Sequence, residues 1–159
     1  MASILGKIFR IGRVAEPKVP AGEKVMAARA LHGSVQVRHV DAGSCNGCEI
    51  EIGQAFSPVY DAERYGARLV ASPRHADALT VTGPVTDNMA EPLRKTYEAM
   101  PERRLVVSVG DCARDCGVFA GGHGVHGPVD AVIPVDVHVP GCPPTPAAIV
   151  AALRGLTGR

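Results

Sequence analysis

From residue 34 onward, short apolar runs alternate with stretches of helical period. Residues 35–40 alternate apolar and polar positions, which predicts a strand, followed by a glycine-rich turn and a helix through Ile50 to Phe56. Residues 68–71 and 78–82 are short apolar or β-branched runs closed by proline or glycine, as strands often are. Leu93, Tyr97 and Met100 fall at helical spacing and predict a helix over 89–100. Residues 105–109 are nearly continuously apolar, the pattern of a strand buried on both faces. One or two further short strands are predicted within 132–139, and a closing helix over 147–156. Strands alternating with helices imply an α/β fold: a mostly parallel sheet with helices on both faces.

Residues 1–30 stand apart from this pattern. Ile4, Leu5, Ile8, Phe9 and Ile11 recur at roughly helical spacing with Lys7, Arg10 and Arg13 between them, and Pro17 and Pro20 mark a linker. This segment reads either as a frayed terminus or as a basic amphipathic element that docks on a partner or a membrane surface. The chain therefore divides into a segment over 1–30 and a single α/β domain over 31–159. Its 159 residues suit one domain, and 46% hydrophobic residues suffice for a core. A net charge of +1 argues against nucleic acid as the principal partner. No run reaches the roughly 18 apolar residues of a membrane span, and early basic residues break the pattern of a secretory signal. The expected location is a reducing cytoplasm, where five cysteines point to metal ligation or reactive thiols rather than disulfides.

The positions of those cysteines carry the chemistry. Cys45 and Cys48 follow the strand at 35–40, Cys112 follows the strand at 105–109, and Cys142 follows the last strand segment. In open α/β sheets, ligand sites form beyond the carboxyl ends of the strands, so three strand ends would deliver thiols to one edge. Gly43, Gly47, Gly110, Gly141 and Pro143 flank them, permitting tight turns around an inorganic group. Four thiolates suit zinc or an iron–sulfur cluster. A zinc site would use the pairs Cys45/Cys48 and Cys112/Cys116, stabilising an interaction module, but it leaves Cys142 unexplained. Spacing favours a cluster and leaves the choice of four cysteines open.

Four motifs occur in order: Gly43-Ser44-Cys45-Asn46-Gly47-Cys48-Glu49, Ala71-Ser72-Pro73-Arg74-His75-Ala76-Asp77, Gly110-Asp111-Cys112-Ala113 and Pro140-Gly141-Cys142-Pro143-Pro144. With them, residues 34–155 resemble the family uniting small subunits of membrane-bound, energy-converting [NiFe]-hydrogenases with the B (20 kDa) subunit of respiratory complex I. The resemblance implies a flavodoxin-like core and one [4Fe–4S] cluster on Cys45, Cys48, Cys112 and Cys142 at the carboxyl edge of the sheet. It implies three kinds of partner: a catalytic large subunit, a ferredoxin-like iron–sulfur subunit and membrane-arm subunits. The chain would sit on the cytoplasmic side of the cell membrane, peripheral within a membrane-bound complex, and alone would not be catalytic. Complex I subunits carry two adjacent cysteines, whereas Asn46-Gly47 separates the pair here, a spacing similar to the hydrogenase branch. The implied reaction is proton reduction or hydrogen oxidation, of the formate hydrogenlyase kind. The alternative is a quinone-reducing, complex I-like role with a quinone pocket at the large-subunit interface.

Glu49 and Glu51 suit a helix N-terminus on electrostatic grounds alone. For Glu49 the resemblance implies more, because related subunits carry a glutamate here near the large-subunit active site, where it can relay protons. Nothing in the family pattern makes Cys116 a ligand; if Asp115-Cys116 begins a helix, it is expected to be a small buried residue. Arg74 and Asp77 are expected to hold loops or an interface, His75 to lie at the surface, and residues 82–86 to lend backbone to the cluster rim. Gly122, Gly124 and Gly127 spell a dinucleotide motif, but Pro128 and Asp130 follow where a helix should begin. That loop, with His123 and His126, is expected to be solvated or covered by a partner.

Overall fold

The computed structural model describes Gly6 and residues 33–159. The amphipathic segment and linker expected within residues 1–30 lie outside the described residues, apart from Gly6. Among the described residues from 33 onward, seven strands and four α-helices follow in order. They are β1 (Val35–Asp41), α1 (Gly47–Ala55), β2 (Ala67–Leu69), β3 (Ala78–Thr82), β4 (Val85–Thr86) and α2 (Asp87–Glu98). Then come β5 (Leu105–Val109), α3 (Asp111–Asp115), β6 (Val125–Gly127), β7 (Val137–Val139) and α4 (Pro146–Thr157). Five strands form one sheet in the order β2-β1-β3-β5-β7, and every pairing in it is parallel. This is a flavodoxin-like order, with the direction of winding reversing between β1 and β3.

Side-chain alternation divides the core into two layers. Val35 and Val37 of β1 and Leu105, Val107 and Val109 of β5 pack with Ile52 of α1 and Ile149, Leu153 and Leu156 of α4. On the other face, Leu79, Val81 and Val106 pack with Leu93 of α2 and Ala113 of α3. Helices therefore cover both faces, and all five residues of β3 and of β5 are buried. This is why the central strands read as continuous apolar sequence.

Of the one or two short strands expected within 132–139, one forms, at Val137–Val139. A turn at Val129–Ala131 precedes it, Ile133 points into the second core layer, and Pro134 has no amide hydrogen to offer a ladder. The loop of three glycines carries a short strand of its own. Its Val125–Gly127 stretch pairs antiparallel with β4, as β6, and Asp87 N donates to Gly124 O at 3.0 Å.

Candidate metal centre

The loop from β1 to α1 is shaped by its own side chains. Asp41 Oδ1 accepts from the amides of Gly43 and Ser44, both at 2.8 Å, an Asx-type turn that reverses the chain directly after the strand. Asn46 takes a left-handed conformation at φ 72° and begins α1, and its amide donates to Ser44 Oγ at 3.0 Å. Cys45 thereby lies in the loop while Cys48 lies in the first turn of the helix. Gly83, beyond β3, presses on this loop, for a Cβ there would meet Ser44 N at 2.4 Å.

The other two cysteines come from loops bonded to one another. Gly110 N donates to Val139 O at 2.8 Å, and Asp111 N to Gly141 O at 2.9 Å. Gly141 N returns a bond to Asp111 Oδ1 at 3.0 Å. These three bonds fix the end of β5 against the end of β7, so Cys112 and Cys142 are held side by side.

Cys45, Cys48, Cys112 and Cys142 line one cavity of about 120 Å³, together with Ser44, Gly83 and Asp111. Cys48 and Cys112 are buried, while Cys45 and Cys142 are exposed at the mouth. Among the described residues, no three of His, Cys, Asp or Glu converge on a point that would hold a single metal ion. The sulfurs surround a space instead. Burial, then the neighbouring Glu49 and the other three thiols, push the Cys48 thiol up to about 12. Burial, then Cys142 and Cys45, raises Cys112 as well. Two buried thiols, Cys48 and Cys112, that resist ionising beside two further cysteines suit a cationic iron core, which would accept the sulfurs as thiolates and take up the released charge.

Cys116 is buried but does not line the cavity. No α-helix begins at Asp115-Cys116. Instead α3 starts directly after β5 and ends at Asp115, with Cys116 in a left-handed turn at φ 66°. Burial and the nearby Asp115 raise its thiol. His75 and Arg74 are exposed. Asp77 ties strands, its Oδ2 accepting from Gln36 N at 2.8 Å.

Glu49 lies in the first turn of α1. Its Oε2 accepts from the Ser44 hydroxyl at 2.5 Å, and its Oε1 accepts from the Thr82 hydroxyl. His39 Nε2 stands 3.6 Å from the same Oε1. Sequence reasoning missed His39. The signal was present, because positions 35, 37 and 39 share one face of β1 by the period of two, and Val35 and Val37 are core. His126 sits beside Asp87 at 3.4 Å in the exposed β6 region, away from the cavity-lining residues.

The parallel α/β sheet places the chain in a fold class that includes a chain in the crystal structure of an NAD+-reducing [NiFe]-hydrogenase (TM-score 0.58, 20% identity, 73% of this chain and 86% of that one). Residues 45–156 match the family described as NADH ubiquinone oxidoreductase, 20 Kd subunit, and the chain belongs to that family. Over 114 residues it is 53% identical to the probable membrane-bound hydrogenase subunit mbhJ of Pyrococcus furiosus, covering 72% of this chain and 68% of that protein. It is 45% identical over 128 residues to formate hydrogenlyase subunit 7 of Escherichia coli, covering 80% of this chain and half of that one. A chain of the membrane-bound sulfane sulfur reductase, an archaeal respiratory membrane complex, superposes with a TM-score of 0.71 at 30% identity, over 86% of this chain and 75% of that one. The relatives are subunits of oxidoreductase complexes, and this chain is an oxidoreductase subunit of the same kind. Among the described residues, no helix is long and apolar enough to cross a membrane.

Proposed function

We propose that the chain holds one [4Fe–4S] cluster on Cys45, Cys48, Cys112 and Cys142 and passes single electrons within a membrane-bound [NiFe]-hydrogenase. Electrons would move between a ferredoxin-like iron–sulfur subunit and the large catalytic subunit, beside membrane-arm subunits on the cytoplasmic face. The observation that carries the reading is the meeting of four thiols from three strand ends around one cavity rather than one point. A single zinc ion needs sulfurs at about 2.3 Å from a common centre, whereas a polynuclear core fills a volume. The two buried cysteines keep the inner side dry, and the two at the mouth face the direction in which a partner would approach. When bound, the cluster supplies reversible one-electron chemistry, tuned by burial and by hydrogen bonds to sulfur.

The protein residues hold and orient. Gly83 and Gly110 let backbone close on the site, and Asp111 stitches the loops of Cys112 and Cys142. Glu49, fixed by two hydroxyl donors at the rim, would carry protons towards the large-subunit site. Metal analysis and EPR of the reduced full chain test the cluster: about four irons per chain with a [4Fe–4S] signal are expected, and a colourless zinc protein would overturn the reading. In the assembled complex, Glu49→Gln is expected to slow hydrogen turnover by about 10²-fold or more, the usual contribution of a positioned proton-transfer group. Unaltered turnover would remove Glu49 from the route.

The likeness to the sulfane sulfur reductase chain favours a second reading. The same cluster would serve a large subunit that reduces sulfur, or quinone, as the family description suggests. Two Cys-x-x-Cys pairs in the neighbouring large-subunit sequence, with hydrogen evolution by the complex, select the hydrogenase.

A further inference from the structure

Beneath the rim, one layer of the core changes character. The helix-facing positions of β1 and β3 begin as Val35, Val37 and Ala78, all fully buried. Near the carboxyl ends they become His39, Thr80 and Thr82, facing Glu49 of α1. An interface that could have been sealed with valines carries an ionisable pair instead.

The hydrogen bonds assign the imidazole tautomer. His39 Nδ1 lies 3.1 Å from the Thr80 carbonyl oxygen, which can only accept, so Nδ1 carries the hydrogen and donates it. The neutral ring then presents Nε2 as a bare acceptor. That atom is buried and has no hydrogen-bond partner, and it faces another acceptor, Glu49 Oε1, at 3.6 Å. Thr82 and Ser44 already direct their hydroxyls at the carboxylate. Two acceptors thus face each other across a gap that one proton would close.

The charges around the ring explain why the proton is not held at rest. Burial disfavours the imidazolium and lowers the His39 pKa, against Glu49 of α1 and Asp41 of its own strand, which favour it; Arg38 opposes it and the Thr80 carbonyl of β3 favours it. A further negative charge nearby would tip this balance. The main-chain carbonyl behind Nδ1 cannot pass a proton onward, so a proton reaching Nε2 can leave only by the way it came, past Glu49. The arrangement is a store with one opening.

We infer that His39 is the proton-holding residue of this site: as one electron enters from a one-electron iron–sulfur donor, Nε2 binds one proton drawn from solvent past Glu49. Electron and proton add one negative and one positive charge, so the buried region keeps its net charge. This rests on the cluster reading above. It adds the residue at which charge is balanced.

The test is a redox titration of the cluster-loaded full chain, followed by EPR at several pH values. Over the interval where reduction protonates His39, the potential should fall by about 59 mV for each tenfold drop in proton concentration, the one-electron equivalent of a factor of ten. His39→Gln, which is polar but does not titrate, should abolish that slope and retain the EPR signal, while His75→Gln at the surface should retain both. A slope surviving in His39→Gln, or absent from the unmodified chain, overturns the inference and leaves the cluster standing. A chain without a [4Fe–4S] signal overturns both. If His39→Gln fails to fold, redox-difference infrared spectra of ring-labelled histidine decide: imidazolium bands should appear on reduction, and their absence refutes the store.

Discussion

Gly110 leaves β5 with φ 93°, a conformation that L side chains rarely adopt, and an added Cβ would stand 2.7 Å from Cys48 Sγ. Gly110→Ala therefore meets two penalties, backbone strain of roughly 1–3 kcal/mol and displacement of a cavity thiol. It should lower the thermal midpoint and yield protein with less than full iron, read by calorimetry and iron analysis. The cysteines separate in the same way. Cys142→Ala removes a sulfur that lines the cavity and should abolish the cluster's EPR signal. Cys116→Ala removes a buried thiol behind α3 and should leave that signal unchanged. The opposite result for this pair would reinstate the pairing of Cys45/Cys48 with Cys112/Cys116. In the sequence that choice was open, because a left-handed turn at Cys116 is a matter of φ and leaves no mark in cysteine spacing.

At the scale of elements, legibility followed the amount of apolar sequence. The strands at 78–82 and 105–109 were predicted at their observed bounds, since fully buried strands leave continuous runs. The helices over α1, α2 and α4 were predicted to within a few residues, from their periodicity and flanking turns. What escaped were short elements whose hydrogen bonds do not depend on side chains. β4 has two residues and β6 three, and their pairing is of backbone across a glycine-rich loop. α3 has five residues, too few to show a period. Leu93 is the buried residue of α2 and anchors it on the sheet. Leu93→Ala should cost about 2–5 kcal/mol, the usual range for emptying a core leucine site, visible as a lower urea midpoint. Because Leu93 lies in the layer opposite α1, the variant that does fold should still load iron.

For the molecule as a whole, the parallel sheet brings three loops to one edge, and that much followed from cysteines placed after predicted strands. The pairing of His39 with Glu49 did not, because it needs the face of β1 and the first turn of α1 to be known together. This pair also governs how the fold responds to acid. Burial holds the folded His39 pKa below its ordinary value of about 6.5. Between the two values the unfolded chain binds more protons than the folded one, so stability rises with pH there. In the cluster-free full chain, the stability contributed by neutral His39 should be complete above about pH 6.5. It should be lost as pH falls from there to the folded pKa, and then level off. Denaturant titrations from pH 8 to pH 5 read this directly, with His39→Gln as the reference that subtracts every other titrating group. The difference between the two chains should be flat above neutrality and narrow in favour of the variant on acidification. A difference independent of pH would mean that the imidazole ionises as readily in the folded chain as in the unfolded one, so that burial does not hold its proton off.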